Sequence, residues 1–230
     1  MTKRDTMPQR VIIVIPCYNE GDALKQSVQE LIALNYEVVV VDDGSTCSAW
    51  EQLKELPVHF LRHCINLGQG AALQTGMDYA RQLGADAVVH FDADGQHSPA
   101  NIPALLAALD NCDIALGSRF LRQEDLSQVP FLKRQLLRCA RLVNFVFTGL
   151  WLSDAHNGFR ALGPKALACI DLTENRMAHA TEILSQVKSH GLIWREVPTS
   201  IRYTSYSKQK GQRWYNSLNI LIDLILNKIL

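Results

Sequence analysis

The stretch "RVIIVIPCYNE", Arg10–Glu20, decides the fold. It opens with an unbroken run of β-branched residues that a proline stops, which predicts a strand buried on both faces. Polar residues follow, and then apolar residues recur at helical spacing between Ala23 and Ile32. "YEVVVVDDGS", Tyr36–Ser45, repeats the buried strand and the polar turn. Buried strands that pass through a polar turn into a helix are typical of an α/β domain.

The same alternation continues to residue 120. Further strands and helices are predicted in "VHFLRH" (58–63), "GQGAALQTGMDYARQLG" (68–84), "DAVVHFD" (86–92), "ANIPALLAAL" (100–109) and "DIALGSRF" (113–120). Such an alternation indicates a parallel sheet with right-handed crossovers, whose ligands bind at the carboxyl ends of the strands. Four polar clusters fall at those ends: 16–20, 42–43, 92–94 and 117–119. We therefore expect one site built from four strand ends.

The loop "FDADGQH", Phe91–His97, carries the most specific chemistry. Asp92 and Asp94 stand on alternate residues of a turn, so both can reach one hard divalent cation, which prefers oxygen ligands. Gln96 adds a neutral oxygen. A metal with so few protein ligands usually shares its coordination sphere with phosphate oxygens. An isolated Asp-x-Asp is as typical of a turn facing water, so the neighbouring clusters decide in favour of a site.

Charge is distributed unevenly along a chain whose formal net charge is zero. The first 118 residues contain 7 Lys and Arg against 15 Asp and Glu, and the remainder contains 16 against 8. An acidic half that holds a metal and a basic half that holds phosphate would explain this asymmetry, and solvated surface charge is the alternative. We expect no nucleic-acid partner.

Several classes of protein are disfavoured by the sequence. The six cysteines show no CxxC or Cys/His clustering, which argues against a zinc site or a disulfide framework and favours a reducing cytoplasm. The first ten residues lack the apolar segment of a secretory signal, and no apolar run approaches the ~18–20 residues that cross a bilayer. No strand is followed by GxGxxG, which disfavours a dinucleotide oxidoreductase. We expect a cytoplasmic protein.

The chain after Ser118 has a different pattern. Residues 131–152 have helical spacing with Arg134, Arg138 and Arg141 on one face, and residues 194–204 predict a strand. Residues 211–230 form a strongly apolar helical pattern that is too short to span a bilayer. This segment could lie on a membrane surface, bind a small membrane protein or cover the sheet.

Taken together, "VIIVIPCYNEGDAL", "VVVVDDGST", "NLGQGAALQTGMDYA", "VVHFDADGQHSP" and "IALGSRF" resemble family-2 glycosyltransferases of the GT-A fold, over roughly residues 11–208. The sequence is most similar to the dolichol-phosphate mannosyltransferase and polyprenyl-phosphate glycosyltransferase branch, through "FDADGQH", "GSRF", "DAHNGFRAL" and "REVPTSIRYTSYSK". The resemblance implies a Rossmann-like nucleotide-diphospho-sugar transferase fold, with a mostly parallel sheet flanked by helices. Residues 1–210 would form the domain, with a nucleotide-sugar and metal half (1–118) and an acceptor half (119–210), and residues 211–230 the C-terminal amphipathic helix.

The resemblance also implies residue roles. The donor would be bound by Pro16, Tyr18, Glu20, Val41, Asp43 and Ala93. Asp92, Asp94 and Gln96 would hold Mg²⁺ or Mn²⁺ on the donor diphosphate. Arg119, Arg202 and Lys208 would neutralise phosphates. Arg134 corresponds to an arginine that holds the acceptor phosphate, and Arg138 replaces the serine that the family has four residues later.

The implied activity is metal-dependent, inverting transfer from a UDP- or GDP-sugar to a polyprenyl phosphate, dolichyl or undecaprenyl, by an enzyme peripheral to the inner face of the membrane. A lipid phosphate oxygen is already anionic and needs no general base. A glycan hydroxyl, the alternative acceptor, does need one. Glycosyltransferases of that kind have a Glu-Asp pair opening a later helix, where this chain has Thr181-Glu182. Glu182 and Asp154 are the candidate bases, and a nucleotide-sugar-binding protein without turnover is a third hypothesis.

Overall fold

A mixed seven-stranded sheet forms the centre of the computed structural model, which describes residues 10–121, 145–146, 148–154, 157–176 and 178–200. Its strands are β1 (Val11–Cys17), β2 (Glu37–Asp42), β3 (His59–Arg62), β4 (Ala87–His90), β5 (Ile114–Ser118), β6 (Arg160–Leu162) and β7 (Trp194–Pro198). They lie in the order β3-β2-β1-β4-β6-β5-β7. Neighbouring strands are parallel except β6, which is antiparallel to both β4 and β5. The prediction of a mostly parallel sheet is confirmed.

Burial on both faces explains why the β-branched runs form the central strands. Alternate residues of a strand point to opposite faces. Val14 of β1 and Val39 of β2 belong to one apolar cluster, whereas Ile13 and Val38 belong to the other. All four side chains are fully buried. The two clusters show that both faces of the sheet are covered.

Helices supply that cover. They are α1 (Asp22–Ala33), α2 (Trp50–Leu53), α3 (Gln69–Gln82), α4 (Ile102–Ala108), α5 (Pro164–Cys169) and α6 (His179–Ser189). Helix α1 packs Leu24 and Val28 into one cluster, and α3 packs Met77 into the other. Gly76 allows α3 to approach the sheet closely, since a Cβ at this position would lie 2.3 Å from Val14 Cγ1.

Strand β6 was not predicted. It is three residues long, too short for a hydrophobic period, and it begins with the charged residue Arg160. Because β6 is antiparallel, Arg160 pairs with His90 of β4 and with Leu116 of β5, next to the carboxyl ends of both strands. The strand therefore separates the polar cluster after β4 from the one after β5.

Much of the second half of the chain lies outside the described residues. Within the predicted helix 131–152, residues 145, 146 and 148 are helical, and Gly149 adopts a φ of 70°, a conformation common where helices end. The division at residue 118, the boundary at 210 and the helix at 211–230 stay predictions. None of the helices in the described ranges has the length and apolar character needed to cross a membrane.

Candidate active site

Three of the four polar clusters come together, because β2, β1 and β4 are consecutive in the sheet. Pro16 of β1 is in register with Val41 of β2, so these two predicted donor-binding residues are neighbours. Asn19, at a φ of 52°, joins the loops: its N–H donates to Ser45 Oγ (2.8 Å) and its Oδ1 accepts from Thr46 N–H (2.9 Å). Asparagine is among the residues that adopt this conformation most readily. Tyr18 stands in the same loop and is 44% exposed.

The two aspartates after β2 organise backbone. Asp42 is fully buried, and its carboxylate accepts hydrogen bonds from the N–H groups of Ser45 (3.0 Å) and Ala49 (3.2 Å). Arg62 Nε lies 3.5 Å from Asp42 Oδ2. These contacts close the turn that follows β2.

Asp43 holds the loop between β3 and α3. Its Oδ1 contacts His63 Nδ1 (2.7 Å) and accepts from Leu67 N–H (3.0 Å), while its Oδ2 accepts from Asn66 Nδ2 (2.8 Å) and Gly68 N–H (2.7 Å). Only 4% of its side chain is exposed. The carboxylate thus holds the loop in place, and its direct contact with a nucleotide-sugar donor stays a prediction.

Asp92, at the end of β4, is held from two sides but keeps contact with solvent. Gln69 Nε2 donates to Oδ1 (3.1 Å), His97 Nε2 lies 2.8 Å from Oδ2, and the side chain is 32% exposed. Burial raises the pKa of this carboxyl, but the hydrogen bond from His97 and the charges of His97, His179 and Arg160 outweigh it, so the pKa is lowered. Asp92 is therefore ionised at neutral pH.

Asp94 lies in a more negative environment. Its Oδ1 accepts from Gln96 N–H (2.9 Å), across a turn in which Gly95 has a φ of 73°. Burial and the like charges of Asp92 and Glu20 raise the pKa of Asp94, although the Gln96 N–H and His97 act in the opposite direction. Carboxylates that repel each other at a strand end favour a bound cation.

The donor set fits a hard divalent cation, since Asp92, Asp94 and Gln96 offer oxygens alone. Within the part of the chain that the structure describes, no three His, Cys, Asp or Glu side chains are grouped to hold a metal ion by themselves. Binding of Mg²⁺ or Mn²⁺ at these residues, shared with a diphosphate, stays a prediction.

Two buried side chains that the sequence did not point to, Arg160 and His179, act electrostatically on Asp92. Arg160 is 2% exposed, and burial lowers its pKa to about 10 against the opposing charges of Asp92 and Asp154. His179 of α6 is also buried, and burial lowers its pKa. His90 is 2% exposed and thus a packed core residue, as predicted, and burial together with the nearby Arg160 lowers its pKa to about 3. Arg160 thus supplies fixed positive charge behind the carboxylate.

Arg119, after β5, is paired with Asp154. Its Nε and Nη2 donate to the two carboxylate oxygens at 2.6 and 2.7 Å, and its backbone N–H donates to Oδ2 at 3.1 Å. Glu196 of β7 in turn accepts from the N–H groups of Ser153 (2.8 Å) and Asp154 (3.2 Å). Asp154 is 3% exposed in its side chain and Arg119 is 37% exposed. Asp154 is thereby a partner of Arg119, and Arg119's contact with phosphate stays a prediction.

Glu182 is occupied as well. Its carboxylate accepts from Thr173 N–H (3.0 Å), Thr173 Oγ1 (2.6 Å) and Glu174 N–H (3.0 Å), which fixes the loop before α6. Both candidate bases therefore have structural partners. The remaining predicted residues, Arg134, Arg202 and Lys208, lie outside the described residues.

Comparison with known proteins shows which family the chain matches. Residues 12–170 match the family described as Glycosyl transferase family 2. A UDP-N-acetylglucosamine–dolichyl-phosphate N-acetylglucosaminyltransferase of Methanococcus voltae is 30% identical over 95% of this chain and 96% of its own. A dolichol-phosphate mannosyltransferase of Pyrococcus furiosus is 31% identical over 94% of this chain, which spans 64% of that relative. The structure of residues 1–349 of TarS from S. aureus shares the fold, with a TM-score of 0.53, 17% identity, and coverage of 95% of this chain and 66% of that one.

Proposed function

This chain belongs to glycosyl transferase family 2 and is a glycosyltransferase, and we propose that it moves a sugar from a nucleotide-diphosphate sugar to a polyprenyl phosphate. The observation that carries the proposal is that Asp92, Asp94 and Glu20 follow the carboxyl ends of the adjacent parallel strands β4 and β1. A divalent cation bound to a diphosphate suits this position, because it neutralises the carboxylates and the leaving group together. The GT-A fold predicted from the sequence is confirmed.

The donor is a UDP- or GDP-sugar in this proposal. Asp92 and Asp94, with Gln96, would hold Mg²⁺ or Mn²⁺, which supplies electrostatic stabilisation of the leaving diphosphate. Pro16, Tyr18 and Val41 would bind the base and ribose, and Asp43 would act by fixing the loop beside them. Arg119, oriented by Asp154, would add positive charge from β5.

The surroundings of the two candidate bases favour a phosphate acceptor. Deprotonation of a glycan hydroxyl needs a carboxylate that can reach it, but Asp154 is buried against Arg119 and Glu182 is bonded to its own loop. A phosphate oxygen needs no base. The relatives named above act on dolichyl phosphate or dolichol phosphate, which supports a lipid phosphate here. Attack by that oxygen in one in-line displacement inverts the anomeric carbon.

The place of action follows from the acceptor. A polyprenyl chain keeps its phosphate at a membrane surface, so we propose that the enzyme acts there, on the cytoplasmic side that its cysteine pattern favours. Contact with that surface, or with a small membrane protein, through residues 211–230 stays part of the proposal.

Transfer of radiolabelled sugar into an organic-soluble product tests the proposal. UDP- and GDP-sugars are incubated with undecaprenyl or dolichyl phosphate and Mn²⁺ or Mg²⁺. We expect a lipid product that mild acid cleaves, loss of transfer in EDTA, and at least about a hundredfold loss in Asp92→Asn.

The matched control is Asp78→Asn, which removes an exposed carboxylate paired with Arg81 on α3 and should keep full activity. Transfer that survives EDTA and Asp92→Asn would contradict the metal assignment. Label that enters a glycan but never the lipid phosphate would contradict the acceptor.

A further inference from the structure

The Asp92 carboxylate is bordered by three segments, two of which are distant from it in sequence. Gln69 opens α3, His97 follows in the same loop as Asp92, and Gly158 precedes β6. We propose that Gln69 and His97 are positioning residues, which orient the two oxygens of Asp92 toward the divalent cation and thereby set its affinity. This inference rests on the proposed function, because it assumes that Asp92 binds that cation.

The hydrogen bonds leave room for a metal. An ionised carboxylate accepts but does not donate, so His97 must carry its hydrogen on Nε2, and Gln69 must present its amide N–H. Within the described ranges each oxygen receives one such donor, at 3.1 Å for Oδ1 and 2.8 Å for Oδ2. A carboxylate oxygen has two lone-pair directions, so each oxygen of Asp92 keeps one for a cation. The donors therefore orient the ligand without replacing the metal.

His97 is itself held in place. It is 6% exposed, its ring stacks on Phe159 with centroids 4.7 Å apart, and it meets the ring of Phe91 edge-on at 5.7 Å. Metal ligands that are oriented by a locked neighbour bind more tightly than ligands that must be ordered at the moment of binding. The packing of His97 suits that purpose.

The backbone that carries Gln69 is equally constrained. Gly68 donates its N–H to Asp43, and Gly70 packs so closely that a Cβ would lie 2.0 Å from Glu174 O. The glycines on either side of Gln69 thus allow the start of α3 to lie close to Asp43 and to Glu174. Asp43 and Asp92 are linked by this segment, since the loop that Asp43 fixes ends at the residue that contacts Asp92.

Gly158 closes a third side of Asp92. A Cβ at this position would stand 3.0 Å from Asp92 Oδ2, tighter than ordinary contact. A methyl group there would push the carboxylate while leaving Gln69 and His97 unchanged. Gly158→Ala is consequently an independent way to misplace the same ligand.

The test measures Mn²⁺ affinity by electron paramagnetic resonance, with UDP and, separately, GDP present and no turnover. We expect Gln69→Ala, His97→Ala and Gly158→Ala each to weaken Mn²⁺ binding by about 10–100-fold. His97→Gln should recover most of the affinity, because the glutamine amide returns a donor near the position of Nε2. Steady-state assays should show a raised KM for the metal at saturating donor.

The matched control is His59→Ala, which removes a histidine bonded to Glu37 at the opposite end of the sheet and should leave Mn²⁺ affinity unchanged. Should His97→Ala fail to fold, Gln69→Ala and Gly158→Ala carry the test. Wild-type affinity in these variants, with affinity lost in Asp92→Asn, would overturn the positioning role and keep the proposed function. A wild-type protein that binds no Mn²⁺ with either nucleotide would overturn both.

Discussion

Strands β2 and β4 are both buried parallel strands that run into two aspartates and a glycine, yet the two pairs of carboxylates have opposite surroundings. Asp42 and Asp43 are buried and receive their hydrogen bonds from the protein's own loops. Asp92 stays one-third exposed, and Asp94 is crowded by like charge. The same local pattern therefore serves to organise backbone after β2 and to present negative charge after β4.

The loop between β3 and α3 creates this difference. Three consecutive residues of the loop, Asn66, Leu67 and Gly68, donate to Asp43. At Asp92 the same segment supplies a single donor, Gln69, and the side chain keeps 32% of its surface exposed. This loop gives Asp43 three donors and Asp92 one, which helps to explain why the pair after β4 is better suited to a metal.

The largest effect on stability should come from Asp43→Asn. One carboxylate oxygen becomes an NH₂ group, which faces N–H donors and leaves buried hydrogen-bonding groups unsatisfied. We expect the free energy of unfolding to fall by about 3 kcal/mol. Urea unfolding followed by tryptophan fluorescence measures this, with Asp78→Asn as the surface control that should change stability by no more than about 0.5 kcal/mol. If Asp43→Asn lowers the free energy of unfolding no more than the control does, Asp43 does not have the structural role that distinguishes the aspartates after β2 from those after β4.

Asp94→Asn, unlike Asp43→Asn, should not destabilise the metal-free protein. The asparagine Oδ1 can still accept from Gln96 N–H, and the repulsion from Asp92 and Glu20 disappears. Because the pKa of Asp94 is raised on folding, its ionised form costs stability at neutral pH, so the metal-free variant should melt at or above the wild-type temperature. Thermal melts in EDTA measure this, and Mn²⁺ binding should be lost in the same variant. A melting temperature well below the wild type would mean that Asp94 has a structural role like that of Asp43.

The two strand ends also show how much of this site could be predicted from the sequence. The central strands and the positions of the aspartates were predictable, because β-branched runs buried on both faces have an unmistakable pattern. The partners were not, since Asp92 is bonded to Gln69 across 23 residues and is influenced by the charge of Arg160, which lies on an antiparallel strand of three residues. The glycines around Gln69 indicated that the start of α3 packs closely against another segment. Nothing in the sequence indicated which carboxylate Gln69 would contact.

The smallest expected effect concerns Glu37, at the start of the strand that ends in Asp42. Arg10 donates to both of its carboxylate oxygens, at 2.9 and 2.8 Å, and His59 Nε2 lies 2.9 Å from Oε1. The hydrogen bond from Arg10 lowers the pKa of Glu37 against an opposing contribution from burial, and His59 lowers it further.

A carboxyl whose pKa is depressed in the folded state contributes stability above its unfolded pKa of about 4.3, and this contribution is lost as the pH falls through the folded pKa. Glu37→Gln should therefore be less stable than wild type at pH 7, by a margin that shrinks below about pH 4 and in high salt, since the pair is partly exposed. Urea unfolding across this pH range measures the margin. A margin that stays constant with pH would mean that Glu37 acts through packing and not through its charge.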